Sequence, residues 1–152
     1  MTPLQTKEQL FHHCQQAIAQ RKGVVEKSIA SIEQALKEES KGTSGDKHHT
    51  ARAMLQIDRE QAGRQLHEIE LLANSLNRVP WKETSTQVRS GSLIHTSQGM
   101  YFICISLGQV TIEGTTFGVL GPQAPLGQLL MGKAVGDEVS FRKQQIRLLA
   151  LH

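Results

Sequence analysis

Aromatic residues are scarce in this chain, at 4% of 152 residues, and hydrophobic residues reach only 38%. Both values are low for one compact core. An extended element with a narrow apolar seam, joined to one small domain, lowers both, and that organisation is the expectation. Charge of one sign does not accumulate either. Lys and Arg (17) are interspersed with Asp and Glu (14) for a formal net charge of +3. This reads as a solvated surface and supplies no nucleic-acid footprint of its own. Cysteine is nearly missing: Cys14 falls in a helical pattern and Cys104 in an apolar strand-like run, without CxxC spacing, so both read as buried thiols of a reducing compartment. No apolar run approaches the ~18 residues of a membrane span. The opening MTPLQTKEQL lacks the apolar centre of a signal peptide. A soluble cytoplasmic protein with no membrane partner is expected. Also missing are a phosphate-binding glycine loop, zinc-ligand spacing and a nucleophile beside a base, so no complete active site is legible.

What is present is periodicity. Leu4, Phe11, Ile18, Val25 and Ile32 recur every seven positions, widened by Leu10, Cys14, Ala17, Val24, Ile29 and Leu36, with Glu, Gln and Lys on the remaining faces. Gly23 is the interior weak point. A second series runs Leu55, Ala62, Ile69, Leu76, flanked by Ala51, Leu66, Leu72 and Ala73, and Pro80 ends it. Between them, Glu39 to Thr50 holds no apolar residue and two glycines, Gly42 and Gly45. So short a polar link predicts an antiparallel helical hairpin over residues 1–79 with its tip at about 41–49. At ~1.5 Å per residue such helices extend roughly 45 to 55 Å. Asp46 or Thr50 reads as the cap of the second helix.

From Pro80 and Trp81 onward the period shortens. Gln87–His95, Gly99–Ser106 and Gln109–Val119 read as strands, Pro125–Gly132 as a short helix with proline in its first turn, and Glu138–Leu151 as a final strand. The expected fold is α+β: the hairpin, then over 80–152 a small antiparallel sheet with one helix. Trp81 reads either as packing at the junction or as an exposed anchor.

Three stretches together resemble the Gre family of bacterial transcript-cleavage factors. The first runs from Glu38-Glu39-Ser40-Lys41 through Ser44-Gly45-Asp46-Lys47-His48 into Thr50-Ala51-Arg52-Ala53-Met54. The second is Pro122-Gln123-Ala124-Pro125-Leu126-Gly127, similar to the family's Ser-Pro-hydrophobic-Gly turn. The third is Gly132-Lys133-Ala134-Val135-Gly136-Asp137-Glu138-Val139, similar to its Gly-Lys-x-x-Gly-Asp-x-Val segment. The resemblance spans essentially the whole chain. It implies an FKBP-like C-terminal domain docking at the rim of RNA polymerase's secondary channel while the coiled coil enters the channel. Nucleic acid is then contacted only within the polymerase complex. By the same resemblance Pro122, Ala124, Pro125, Leu126 and Asp137 belong to the docking face, with Ala124 standing where the family often has Ser.

The resemblance also assigns chemistry to the tip. Cleavage-stimulating members bring two acidic side chains to the polymerase active site, where they help hold a second magnesium and a water; hard magnesium prefers oxygen ligands. The factor has no catalytic centre and no intrinsic cofactor. It lends ligands to the polymerase's own endonucleolytic cleavage of backtracked RNA. Asp46 matches the first acid and is the candidate magnesium ligand. His49 stands three residues on, where the family usually has glutamate, and imidazole is a poor magnesium ligand. Glu38 and Glu39 either substitute for the missing oxygen donor or are solvated helix-end carboxylates.

Other readings stand beside this one. The chain could occupy the channel without promoting cleavage, as a regulator or inhibitor, or serve as a cytoplasmic scaffold unrelated to polymerase. Asp46, His48 and His49 read either as solvated residues or as a small transition-metal site. His12-His13-Cys14 reads as two solvated imidazoles beside a core thiol. A prolyl isomerase needs an aromatic-lined pocket, whereas Tyr101, Phe102, Phe117 and Phe141 occupy core-like strand positions.

Overall fold

The structure is a computed structural model that describes residues 1–40 and 46–152, the side chains of 40 and 46–48 excepted. The fold is α+β, with two long helices followed by a six-stranded, mostly antiparallel sheet and a short helix. The chain divides into two compact units: residues 17–74, and residues 1–16 together with 75–152.

Helix α1 spans Pro3–Ser40 and α2 spans Asp46–Asn77. The sequence sets the start of α1 through a capping box. The Gln5 amide donates to Thr2 Oγ1 at 3.1 Å while the Thr2 amide donates to Gln5 Oε1 at 2.9 Å. Pro3 sits at the first helical position, where no amide is needed. Within the 17–74 unit the helices run antiparallel. Arg59 Nε meets Glu33 Oε1 at 3.1 Å, while the earlier Val24 and Val25 share a groove with the later Gln65, Ile69 and Leu72. Ile18, Ile29 and Ala62 are buried along the predicted seam, but Leu4 and Val24 are exposed at 52% and 65%. The stripe is therefore narrower than the sequence suggests.

The other unit holds β1 (Leu93–Thr96), β2 (Gly99–Ile103), β3 (Gly108–Ile112), β4 (Thr115–Leu120), α3 (Pro125–Leu130), β5 (Glu138–Phe141) and β6 (Gln144–Leu151). Strand order is β3-β4-β2-β1-β6-β5. Every pairing is antiparallel except β2 with β4, which is parallel. The antiparallel sheet expected from the sequence thus holds except for this one parallel pair. After β2 the chain passes out to edge strand β3 and returns in β4 alongside β2. Two predicted strands are each hairpins. Glu113 and Gly114 turn at φ of 49° and 81° between β3 and β4; Arg142 and Lys143 turn at 51° and 67° between β5 and β6. The first strand is also shorter than predicted, because Gln87 to Ser92 lie outside the sheet, with a turn at Ser90 and Gly91.

Alternation along the strands gives the sheet two buried faces. On one, Ile94, Ile103, Val139, Ile146 and Leu148 pack with Val88 and with Leu130 of α3. The other carries Leu93, Phe102, Phe117 and Val119, all at most 4% exposed. The first turns of α1 belong to this unit. Phe11 stacks on Trp81 with ring centroids 5.5 Å apart, so Trp81 is half-buried packing.

Lys7 departs from the expectation that lysines occupy the polar faces. It is 1% exposed, and its Nζ donates to the Glu83 carbonyl at 3.0 Å. Burial, and secondarily the Arg89 charge, hold its pKa below the usual lysine range. An unfolded lysine titrates near ~10.4, so between the lowered folded value and that point the unfolded chain binds more protons and stability rises with pH. Below the folded value the cost of the buried charge is fully present. Lys7→Met, which keeps the stem, should remove this dependence. Wild-type stability relative to Lys7→Met should climb as pH rises from neutrality toward ~10, and a flat difference in denaturant titrations would count against the buried ammonium. Lys7→Ala should cost about 3 kcal/mol through lost packing of the stem and the lost bond to Glu83.

Candidate functional site

The candidate tip residues lie at the facing ends of α1 and α2. Glu38 is exposed in the last turn of α1, where its Oε1 accepts from Gln34 Nε2 at 3.4 Å. Glu39 is half-buried and engaged with a neighbour. Carboxylates at a helix C-terminus oppose the helix dipole, and Lys37 is the only basic residue in that turn. On the other side α2 begins at Asp46, and His49 is exposed in its first turn. Thr50 lies inside the helix, beyond any capping position, which removes it as the cap. Residues 41–45 and the Asp46 and His48 side chains lie outside the described residues, and with them the choice between cap and outward acid for Asp46.

A magnesium pair needs two oxygen donors. Of the described side chains, Glu38 and Glu39 offer carboxylates from α1, and His49 offers nitrogen from α2. His49 thus supplies no oxygen donor for a hard cation. Among the described residues, no group of three or more His, Cys, Asp or Glu side chains is placed to hold a metal ion. His12 and His13 are exposed while Cys14 is buried, as the pattern predicted.

The residues expected at a docking face lie around α3 and the turn into β5. Pro125 opens α3 at its first turn, and Ala124 holds the N-cap position with φ −62° and ψ 151° but provides no side-chain cap. Pro125 is exposed, Pro122 and Ala124 are half-buried, and Leu126 packs against the buried cluster on one face of the sheet. Leu126 is accordingly a core contact. Supplying a hydroxyl at the N-cap with Ala124→Ser should stabilise the chain by about 0.5–1 kcal/mol by capping α3, read as a rise in denaturant midpoint.

Asp137 is exposed, yet its Oδ2 accepts the Ala134 amide at 2.9 Å and its carbonyl accepts the Leu148 amide at 2.9 Å. The glycines of the same segment, Gly132 and Gly136, have φ of 81° and 95°. The Gly-Lys-Ala-Val-Gly-Asp stretch is thus a turn that delivers the chain into β5, and Asp137 is committed to that turn.

Sequence reasoning missed the burial of Lys7. For Lys7 a signal existed: it lies three positions before Leu10 and seven before Cys14, on the buried stripe.

No family model, no curated protein and no solved structure matches the chain. Among the described residues, no helix is long and apolar enough to cross a membrane.

Proposed function

We propose that this protein binds bacterial RNA polymerase in the cytoplasm, presents the end of its helical hairpin to the secondary channel, and modulates elongation without supplying a full set of magnesium ligands. The observation that supports this reading most is the composition of the hairpin end: two helices meet at a polar link, with Glu38 and Glu39 on one side and an exposed His49 in the first turn of the other. The chain order of hairpin, sheet and short helix agrees with the family resemblance, as does the proline-started α3. On this reading the sheet unit is an FKBP-like docking domain that uses the turn leading into α3, where Gln123 and Pro125 are exposed and Pro122 and Ala124 half-buried, while Leu126 anchors α3 to the core.

Channel entry requires nothing of His49 beyond being polar and exposed, whereas magnesium capture requires a carboxylate there. Occupancy of the channel is therefore the proposed activity, and elongation would change through competition with whatever else enters. A photo-reactive side chain placed at position 49 should cross-link to polymerase segments lining the channel interior. Cross-links confined to the outer surface of the enzyme, or none, would contradict insertion.

A further inference from the structure

The two faces of the helical hairpin differ in chemistry. One carries the Glu33–Arg59 ion pair at 3.1 Å, with Lys22, Glu26 and Glu70 at the same helical phase. The other is a groove within the 17–74 unit. Val24 and Val25 of α1 and Ile69 and Leu72 of α2 line it, with Arg21 on one rim and Glu68 on the other. Among the described residues, neither Arg21 nor Glu68 forms a hydrogen bond or an ion pair.

Steps of three and four residues extend each rim along its helix. On α1 they run Ala17, Arg21, Val24, Ser28, Ser31 and Ala35, all small apart from Arg21. On α2 they run Met54, Ile57, Gln61, Gln65, Glu68 and Leu72, all long or branched side chains. Val24, Met54 and Ile57 are exposed at 65%, 62% and 54%, a run of apolar surface of the kind that marks a contact. The Glu33–Arg59 bond sets the level of one antiparallel helix against the other, so that Val24 lies level with Glu68 and Ala35 with Ile57.

We infer that this groove is the contact surface for a second copy of the chain, the two hairpins pairing side by side about a two-fold axis parallel to their helices. That axis brings α1 of each copy against α2 of the other at the same level, giving a four-helix arrangement with reciprocal contacts. The small rim then meets the large one. Ile57 of the second copy packs over Ser31 and Ala35, and Val24 enters the hole between Gln65, Glu68 and Leu72 of the second copy. Arg21, one turn from Val24, comes within reach of Glu68 of the second copy, and the same pair forms again across the axis. Both unpaired charges are thereby matched. A two-fold axis perpendicular to the helices sets small against small and large against large, and is disfavoured for that reason. The pairing does not draw on the polymerase reading, and its test uses the protein alone.

The test is analytical ultracentrifugation of the full chain from low to high micromolar concentration. The expected result is a reversible rise from 16.8 kDa to twice that mass. Arg21→Glu and Glu68→Arg should each weaken pairing by roughly tenfold or more. An equimolar mixture of these two variants should pair again to within about threefold of the wild type, because each then meets the opposite charge on its neighbour. Val24→Glu, at a position already exposed, should keep the helical circular dichroism and sediment only as monomer. Monomer at every concentration of the wild type would overturn the pairing and leave the groove to a helix of another protein. A dimer insensitive to either charge reversal, single variants that fail to pair when mixed, or assembly beyond two copies would overturn it as well.

Discussion

Gly127→Ala is expected to destabilise the sheet unit by about 3 kcal/mol or more, one of the largest effects of any single methyl in the chain. A Cβ built on Gly127 lies 2.2 Å from the Gly121 carbonyl oxygen, 3.2 Å from its carbon and 3.3 Å from the Pro122 carbonyl carbon. All three are backbone atoms, so no side chain can swing aside. Gly127 is buried in α3, whose Leu130 is fully enclosed by the cluster around Ile94 and Leu148. Relief would require α3 to move away from the Gly121 carbonyl oxygen, which also accepts the Ala124 amide at 3.1 Å. For a chain of this length, thermal melts should show a fall of roughly 10 °C. Gly23→Ala is the contrast. It lies inside α1 with nothing within 4 Å of the new methyl, and should stabilise by about 0.5–1 kcal/mol through helix propensity alone. Equal melting temperatures for wild type and Gly127→Ala would mean that α3 does not sit where described.

On the proposed role, His49→Glu should turn a channel occupant into a cleavage factor. His49 is exposed three residues after Asp46 in the first turn of α2, and that spacing places both residues on neighbouring faces of the helix start. Replacing imidazole with carboxylate supplies a second hard oxygen donor where a magnesium ion needs one. The expected result is little acceleration of RNA shortening by the wild type in stalled, backtracked polymerase complexes. His49→Glu should then accelerate it by on the order of tenfold or more, corresponding to about 1.4 kcal/mol of barrier. Binding to polymerase should change little between the two, because the substitution leaves the hairpin and the α3 edge intact. Cleavage at full strength by the wild type would remove the missing-ligand argument.

Much of the fold was legible because it is periodic. Seven-residue spacing from Phe11 to Ile32 and from Leu55 to Leu76 located both helices, and Pro80 and Pro125 marked where one ends and another begins. The errors have separate physical causes. Arg142 and Lys143 adopt left-handed backbone conformations that usually call for Gly or Asn, so the sequence carries no turn signal between β5 and β6. The parallel pairing of β2 with β4 depends on the chain's path, which alternation cannot report. Burial of Lys7 was hidden by its charge, although its position on the stripe pointed inward.

The site was legible unevenly. The motif around Asp137 signified a turn held by the Ala134 amide and two left-handed glycines, and Leu126 proved to be part of the core. Residue type alone gave the chemistry of His49, because an imidazole remains a poor magnesium ligand wherever it points.

Capture of RNA polymerase from a bacterial extract by the full-length chain is the most direct measurement of the proposed role, carried out at low and at high salt. The account predicts that polymerase is retained, that prior occupation of its secondary channel abolishes retention, and that removal of residues 38–49 weakens it. Absence of polymerase from the captured material at both salt concentrations would contradict it.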